Sequence, residues 1–324
     1  MAEPFVELAV VRRSGFVESR HCGALLALDA DGGVAAELGD GDAPVLPRST
    51  AKPLQATACL LAGAPLEGPA LAIAAGSHTG TDAHADVVRA VLAEAGLTED
   101  ALGCPADRPQ DGPTRDALVR AGEPPSRVRM NCSGKHAAML LACRVNGWST
   151  GDYLDPGHPL QQRVRAVTEG LTGTPVRHVA VDGCGAPLFG TTVRGLATAF
   201  RALRLADPGE PAGRVAAAMR AHPEFVGGPG HPNTELMRHV PGAVAKGGAE
   251  GVLGVAGPGG RSVALKVADG NPRATTLIAL EVLAGLGVDV SGVADLRVVP
   301  VLGGGERVGE IAPGTALRAW AAAR

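Results

Sequence analysis

The sequence lacks an excess of charge of either sign. Its 30 basic and 33 acidic side chains give a formal net charge of −3 at pH 7. Proteins that bind nucleic acid or an anionic membrane through their surface carry a strongly basic patch. We therefore expect no nucleic-acid partner and no membrane partner, and a small-molecule ligand is the better hypothesis.

Long apolar runs are also missing. No apolar stretch approaches the ~20 residues that a membrane-spanning helix needs. The amino-terminal segment MAEPFVELAVVRR has an acid before its short apolar stretch and arginines after it, which is the reverse of a secretory signal. The segment therefore predicts a strand, and we expect a cytoplasmic protein.

Cysteine is sparse, with six residues in 324. This number is too small for the disulfide framework of a small secreted protein, and a reducing compartment would keep the side chains as thiols. Any special cysteine is therefore a ligand or a reactive group. The 45% hydrophobic content is sufficient to fill a sizeable core, which predicts a globular protein.

Strand-like patterns lie at both ends of the chain. The apolar pattern predicts strands at 5–11, 22–29, 34–38, 177–185, within 242–270, and near 308–311. Helical periods fill most of the middle and recur once near the end. They predict helices at 49–63, 82–95, 113–121, 132–146, 158–170, 191–205, 212–221, 234–239 and 272–284.

This order of elements predicts an α+β protein. Both chain ends would build one antiparallel sheet, while residues from roughly 50 to 240 would form a largely helical subdomain. No internal repeat and no clear linker interrupts the pattern. Residues 1–324 are therefore expected to form a single domain.

The segment RSTAKPLQ at 48–55 places a lysine three residues after a serine, where a helix is predicted to begin. Ser49 and Lys52 would lie on one face of the helix, within reach of each other. Burial and the positive end of a helix both disfavour the charged amine, and a neutral Lys52 could take the proton of Ser49 during attack on a carbonyl. A polar loop that enters a surface helix has the same spacing, so both interpretations stay open.

The segment AAGSHTGTDAH at 74–84 places several hydroxyl groups in a glycine-flanked turn before a helix. Hydroxyls and free amides at a helix amino end suit a carboxylate or an oxyanion. The alternative is that Ser77 or Thr81 merely caps the helix. His84, one turn further on, is expected to be an ordinary surface residue.

Two segments combine possible metal ligands. NCSGKHAAMLLAC at 131–143 crowds Cys132, Lys135 and His136 at the start of an apolar helix, and VDGCGAP at 181–187 places Asp182 and Cys184 two residues apart. Two thiols, a carboxylate and a lysine or histidine could together hold one divalent metal, with zinc favoured by the softness of sulfur. The spacing is not that of a zinc finger, so the pattern alone is weak.

Two lysines lie in strand-like segments near the carboxyl end. Lys266 in ALKVADG at 264–270 sits among apolar residues, where it must reach solvent or meet a partner in a cleft. Lys246 in AKGGAEG at 245–251 precedes paired glycines. A lysine-glycine edge beside a serine-lysine site is a feature of serine penicillin-recognising enzymes, but alone it is the pattern of a hairpin turn.

Together these segments resemble one family, the Rhizobium etli type L-asparaginases, also called class 3 or thermolabile asparaginases. The resemblance implies a fold similar to the serine β-lactamases and the serine-type glutaminases, a homodimer, and hydrolysis of L-asparagine to L-aspartate and ammonia. The matching segments are RSTAKPLQA (48–56), GSHTG (76–80), NCSGKHAAML (131–140), DGCGAP (182–187), KGGAEG (246–251) and ALKVADG (264–270).

The family carries two Ser-Lys pairs, which map onto Ser49 with Lys52 and onto Ser77 with Lys266. The resemblance thus implies that Ser49 attacks the amide and Lys52 acts as its base, while Ser77 and Lys266 relay protons to the leaving amine. Aromatic residues make up only 2% of the chain, and Tyr153 is the single tyrosine. If a tyrosine base of the β-lactamase kind were needed, Tyr153 would be the one candidate, and Ser77 with Lys266 is preferred for that role.

The family also carries a zinc ion bound by two cysteines and a lysine beside a carboxylate. These ligands map onto Cys132, Cys184 and Lys135, with Asp182 as the carboxylate. A lysine on zinc is unusual, because the amine must be neutral to donate its lone pair.

The charged groups of the substrate need partners as well. Charge type suggests Asp182 for its ammonium group and Arg48, Lys135 or His136 for its carboxylate. The alternatives to an L-asparaginase are a zinc-hydroxide amidohydrolase, a serine glutaminase, a β-lactamase-like hydrolase and a non-catalytic amino-acid-binding protein.

Overall fold

A computed structural model describes residues 4–324, which include all of the predicted amino-terminal strand at 5–11. Within this part of the chain, the strands are β1 (Val6–Arg13), β2 (Phe16–Leu28), β3 (Val34–Leu38), β4 (Pro44–Val45), β5 (Val179–Val181), β6 (Pro187–Phe189), β7 (Thr191–Thr192), β8 (Val244–Gly248), β9 (Val252–Ala256), β10 (Ser262–Val267), β11 (Val299–Gly303) and β12 (Glu306–Pro313).

The helices fill most of the middle of the chain and recur near its end. They are α1 (Lys52–Leu61), α2 (Gly68–Ala74), α3 (Asp82–Glu94), α4 (Gly112–Arg120), α5 (Ser133–Val145), α6 (Pro159–Thr172), α7 (Val193–Leu205), α8 (Pro211–Ala221), α9 (Pro223–Gly227), α10 (Pro232–His239), α11 (Thr275–Gly285) and α12 (Thr315–Ala322). None of the helices within residues 4–324 combines the length and the apolar character needed to cross a membrane.

The main sheet is built from both ends of the chain. Its eight strands follow the order β11-β12-β1-β2-β10-β9-β8, and β3 also pairs with β2. All the pairings in this sheet are antiparallel, and β1 and β2 lie between strands from the carboxyl-terminal third. The predicted α+β class, with one antiparallel sheet from both chain ends, is thereby confirmed.

Helices cover both faces of the central strands. On one face α7 packs against β2, β9 and β10, and its Phe200 lies against Gly254, where an added Cβ would come within 2.4 Å of the ring. On the other face α11 packs against β9 and β10. Because both faces are covered, β10 reads as an almost continuous apolar run instead of an alternation of apolar and polar residues.

The helical part surrounds α1. This helix packs against α5, α6 and α8, and its residues from Lys52 to Leu60 are all buried. A helix that is buried on every side belongs in the interior of a large domain. The short pairs β4–β7 and β5–β6 interrupt this part, so it is largely but not wholly helical.

Strand β8 lies at one end of the sheet order and approaches the turn that precedes α1. A Cβ added at Gly248 would lie 3.0 Å from the carbonyl oxygen of Pro47 and 3.2 Å from the amide nitrogens of Ser49 and Thr50. Only a residue without a side chain allows this approach. The sheet thus brings the KGG segment directly against the RST segment.

Candidate active site

The turn that carries Ser49 is a short 3₁₀ helix, Arg48–Ala51, and not the first turn of the predicted α-helix. The Thr50 hydroxyl and the Thr50 amide both donate to the carbonyl of Pro47, at 2.5 and 3.1 Å. Arg48 has a φ of +50°, a left-handed conformation that is uncommon for a residue with a side chain. Backbone strain of this kind concentrates at functional sites, where the surrounding structure holds it.

The amine of Lys52 lies inside the protein, with 1% of the residue exposed. It donates to the hydroxyl of Ser77 at 2.8 Å and to the carbonyl oxygen of Asn131 at 3.3 Å. Among residues 4–324 it makes no hydrogen bond with Ser49, the partner expected from the sequence. The structure therefore joins one member of each predicted Ser-Lys pair.

Lys266 does not meet Ser77. Its amine donates to the carbonyl oxygens of Glu250, at 2.7 Å, and Val267. These carbonyls belong to the β8–β9 hairpin and to the end of β10, and Lys266 is not part of the cavity wall described below. The predicted pairing of Ser77 with Lys266 is thus absent from this arrangement.

Lys246 on β8 is the second lysine beside the serines. It is 1% exposed, and its amine donates to the carbonyl of Gly247 at 2.6 Å. Burial, and then the charge of Lys52, lower the pKa of Lys246 well below its ordinary value. The sequence contained a signal for this residue in the lysine-glycine pattern, but no site role was assigned to it.

A cavity of about 690 Å³ opens beside these side chains. Polar groups from several elements line it: Ser49, Ser77, Asn131, His231, Asn233 and Lys246. The lining also includes Pro272 and Thr275, just before and at the start of α11, and Leu296 and Val298 before β11. The volume suits a small molecule.

The predicted metal ligands lie next to one another. The Lys135 amine donates to the Cys184 sulfur at 2.9 Å, and the Cys184 sulfur lies 3.8 Å from a carboxylate oxygen of Asp182. A hydrogen bond with Cys184, followed by the charges of Lys52 and Lys135, lowers the pKa of the Cys132 thiol well below its ordinary value, against the opposing effect of burial. Two sulfurs and an amine in a buried pocket are a donor set that fits zinc.

The side chain of Asp182 is held by Arg48. The guanidinium Nε of Arg48 lies 2.8 Å from Asp182 Oδ1, and its Nη1 lies 3.8 Å from Glu250 Oε1. Glu250 has a φ of +61°, so Arg48 and Glu250, which contact one another, both have a left-handed backbone conformation. The ion pair ties the Ser49 turn to the cysteine cluster.

His136 and Tyr153 form a separate buried pair. The His136 Nδ1 lies 2.6 Å from the Tyr153 hydroxyl, which also accepts from the amide of Gly103 at 2.8 Å. Burial raises the pKa of the Tyr153 phenol, which favours its protonated form. Neither His136 nor Tyr153 lines the cavity. Arg48, Lys135 and Asp182 do not line it either. The four residues predicted to bind the substrate, His136 and these three, therefore all lie outside the cavity wall.

His84 is not a surface residue as expected. It is 2% exposed and completes a capping box at the start of α3, where its Nδ1 accepts from the Thr81 amide at 3.1 Å. Its Nε2 lies 2.8 Å from the carbonyl oxygen of Glu224. The prediction of a surface position for His84 was wrong because α9 packs over the start of α3. His84, one turn into α3, therefore faces inward.

A family model described as L-asparaginase II matches residues 9–313. The chain belongs to the L-asparaginase II family. It is therefore an amidohydrolase, and the match extends over the Ser49 turn, the cysteine cluster and both lysine-bearing strands. Membership in the family agrees with the resemblance found from the sequence segments. No relative among the curated proteins matches the chain.

Several solved structures match the chain at low sequence identity and with TM-scores below 0.5. A β-lactamase from Mycobacterium bovis is 17% identical, with 82% of this chain and 94% of that chain covered and a TM-score of 0.44. A Bacillus glutaminase is 14% identical, with 83% and 92% covered and a TM-score of 0.45. EstCE1, a hydrolase with promiscuous acyltransferase activity, is 13% identical, with 84% and 92% covered and a TM-score of 0.40. At these TM-scores, no residue role is transferred from them.

Proposed function

We propose that this member of the L-asparaginase II family hydrolyses L-asparagine to L-aspartate and ammonia through a covalent acyl-enzyme on Ser49. The observation that carries the proposal is the buried amine of Lys52, 2.8 Å from the Ser77 hydroxyl. Both Ser49 and Ser77 line one cavity of small-molecule size. A nucleophile, an amine and a second hydroxyl at one cavity wall are the parts that serine acyl transfer requires.

In the first step the Ser49 oxygen bonds to the side-chain amide carbon of asparagine, and the Ser49 proton passes to the amine of Lys52, which acts as the base. The carbon–nitrogen bond then breaks. Ser77 gives its proton to the departing nitrogen and takes the proton held by Lys52, with which it already shares a hydrogen bond. In the second step water attacks the ester, its proton follows the same route in reverse, and L-aspartate is released.

Two backbone amides are candidates for an oxyanion site. The amide of Gly247 donates to Asn233 Oδ1, so this amide faces away from β9. The amides of successive residues in a strand point to opposite edges of that strand. The amide of Ala249, two residues after Gly247, therefore points to the same edge of β8 as the Gly247 amide. Because Gly248 packs against the Ser49 amide, the amides of Ser49 and Ala249 would converge on one position at the cavity wall.

We assign the second lysine of the reaction to Lys246 instead of Lys266. Lys246 shares the cavity wall with both serines, whereas the Lys266 amine is held by two backbone carbonyls. A buried neutral amine at this position can donate a hydrogen bond to the substrate. It also places no competing positive charge beside Lys52.

We further propose zinc as the group held by Cys132, Cys184 and Lys135. When bound, zinc supplies a positive charge that stabilises the two thiolates. The residues themselves connect this cluster to catalysis, because the Asn131 carbonyl accepts from Lys52 at 3.3 Å and the Asn131 side-chain oxygen lies 3.1 Å from the Cys132 sulfur. The cluster would thus position Lys52, and the neighbouring Asp182–Arg48 pair would hold the Ser49 turn.

A cytoplasmic location and a homodimer complete the proposal. The location is supported by the composition, because the few cysteines suit a reducing compartment. The homodimer rests on the resemblance to the Rhizobium etli type enzymes. Size-exclusion chromatography with light scattering should give twice the 32.5 kDa chain mass.

A coupled ammonia assay tests the proposed function. Purified protein should release ammonia from L-asparagine faster than from L-glutamine and should leave a chromogenic β-lactam intact. The reverse order of the two amides would make it a glutaminase, and β-lactam cleavage would make it a β-lactamase-like hydrolase. Saturable asparagine binding without ammonia would make it a binding protein.

Chelation separates the serine mechanism from zinc-hydroxide hydrolysis. If the serine mechanism holds, Ser49→Ala abolishes turnover in the metal-loaded protein. If a metal-bound hydroxide were the nucleophile, Ser49→Ala would keep most of the activity, and stripped protein would regain it only with added metal.

A further inference from the structure

Asn233 is a buried amide on the cavity wall whose role the reaction above does not use. It lies in the first turn of α10 and is 3% exposed. Its Oδ1 accepts from the backbone amide of Gly247 at 3.0 Å. Because a backbone amide can only donate, the oxygen must face Gly247, and this fixes the orientation of the side chain.

The other end of the side chain has no partner. Asn233 Nδ2 is buried and makes no hydrogen bond within residues 4–324. Other buried side-chain atoms without a partner in this part of the chain, such as Gln161 Oε1 and His136 Nε2, belong to residues that do not line the cavity. A buried donor without an acceptor is costly, and a ligand oxygen in the cavity would remove this cost.

A second donor binds the same residue of β8. The Lys246 amine bonds to the carbonyl of Gly247, the residue whose amide Asn233 holds. The second hydrogen of the neutral Lys246 amine and both hydrogens of Asn233 Nδ2 therefore remain to be donated from side chains that meet at Gly247. Two donors at one place select an oxygen with several lone pairs.

The substrate has one group of that kind left. In asparagine the oxygen of the reacting amide is assigned to the amides of Ser49 and Ala249, and the ammonium group cannot accept a hydrogen bond. The α-carboxylate remains. Gly247 and Ala249 are two residues apart, about 7 Å along a strand, which is the order of the length of an extended asparagine.

We propose that Asn233 is a substrate-binding residue that donates from Nδ2 to the α-carboxylate of the amino-acid amide, beside Lys246. The inference rests on the proposed function, and it replaces Arg48, Lys135 and His136 as partners of the carboxylate. It also predicts the substrate class, which is a free amino acid with an unblocked carboxylate and not an amide within a peptide chain.

The variant Asn233→Asp tests this role against a structural one. An aspartate keeps the oxygen that accepts from Gly247, but it loses the donor and brings a negative charge towards the carboxylate. We expect KM for L-asparagine to rise at least tenfold while kcat changes by less than threefold, because the interaction holds the substrate equally before and during reaction. An unchanged KM would overturn the proposal, since a structural role needs only Oδ1.

A binding measurement gives the second readout. In the Ser49→Ala background, calorimetry should show that Asn233→Asp weakens L-aspartate binding at least tenfold. The matched control is Asn271→Asp, which makes the same amide-to-carboxylate change on the cavity wall, keeps the bond that Oδ1 accepts from the Arg273 amide at 3.1 Å, and should leave L-aspartate binding within twofold. Equal losses from both changes would contradict the proposal. Absence of any ammonia release by the unmodified protein would contradict the proposed function instead.

Discussion

The amine of Lys52 lies 2.8 Å from the hydroxyl of Ser77, and within residues 4–324 it makes no hydrogen bond with Ser49, three residues before it. The position of Ser77 is fixed by the bond from its amide to the carbonyl of Val226 at 2.8 Å. The lysine thus starts from α1, next to the Ser49 turn, while its amine is held by a loop from another part of the chain. In the proposed reaction this position lets one lysine serve the attacking and the leaving group.

Removing the amine should stop the reaction. Lys52→Met keeps much of the buried length and removes the base, so we expect kcat/KM for asparagine to fall by at least about 10³-fold. Lys52→Arg should not rescue it, because a guanidinium stays protonated. Steady-state ammonia release measures the effect, and circular dichroism checks the fold. Rescue by arginine would show that only positive charge is needed.

The two strand lysines should differ in their effects. We expect Lys246→Met to lower kcat/KM by at least about 10²-fold, because it loses a donor on the cavity wall. Lys266→Met should keep activity within about threefold, because its amine only binds carbonyls of the hairpin and strand end. The opposite ranking would return the second pair to Ser77 and Lys266.

Gly248 should not tolerate a methyl group. In Gly248→Ala the new Cβ would lie 3.0 Å from the Pro47 carbonyl oxygen and must displace β8 or the Ser49 turn. We expect activity to fall tenfold or more, because the proposed oxyanion amides separate. The matched control is Gly170→Ala on α6, where nothing lies within 4 Å, and this change should raise stability by roughly 0.5–1 kcal/mol. Full activity of Gly248→Ala would contradict the proposed oxyanion site.

Acid should destabilise the protein through histidines that are partly or fully buried. Burial, followed by the charge of Lys246, lowers the pKa of His231 from 6.5 to about 4. The folded state then binds fewer protons than the unfolded state between these values, so stability is complete above pH 6.5 and is lost as the pH falls towards 4. The loss for this one residue is up to about 3 kcal/mol. Burial also lowers the pKa of His78 and His84, which adds to the trend.

The variant His231→Asn isolates the contribution of that residue. Asparagine can still cap α10, where His231 now accepts from the amide of Asn233, but it does not titrate. Urea unfolding at pH 7 and pH 4.5 should show a smaller loss of stability in the variant than in the unmodified protein. The same pH dependence in both proteins would contradict the role of His231.

Much of the fold could be predicted from the sequence because its periods are long and clear. The helices at 82–95 and 132–146 agree with α3 and α5 to within one residue at each end. Helix α2 was missed because seven mostly apolar residues are too few to establish a period. Strand β2 begins at Phe16, six residues before the predicted start, because the section from 16 to 22 contains a run of polar residues where β2 pairs with β1, beyond the end of its pairing with β10.

The sequence predicted several side chains that the structure brings close together, but not the hydrogen-bonded pairs that they form. Single segments identified Ser49, Lys52, Ser77 and the cysteine cluster, since each has an unusual polar residue at a helix start or strand end. Which amine meets which hydroxyl depends on the meeting of α1, the 76–80 loop and β8, which are far apart in sequence. For the same reason Asn233 carried no signal, because an asparagine near a helix start looks like an ordinary cap.

The most direct test of the account is ammonia release from L-asparagine by the unmodified protein and by Ser49→Ala, at equal concentration and with the fold of both checked by circular dichroism. We predict steady release by the unmodified protein and a rate at least about 10³-fold lower for Ser49→Ala. Release by Ser49→Ala at a rate near that of the unmodified protein would contradict a serine nucleophile at position 49.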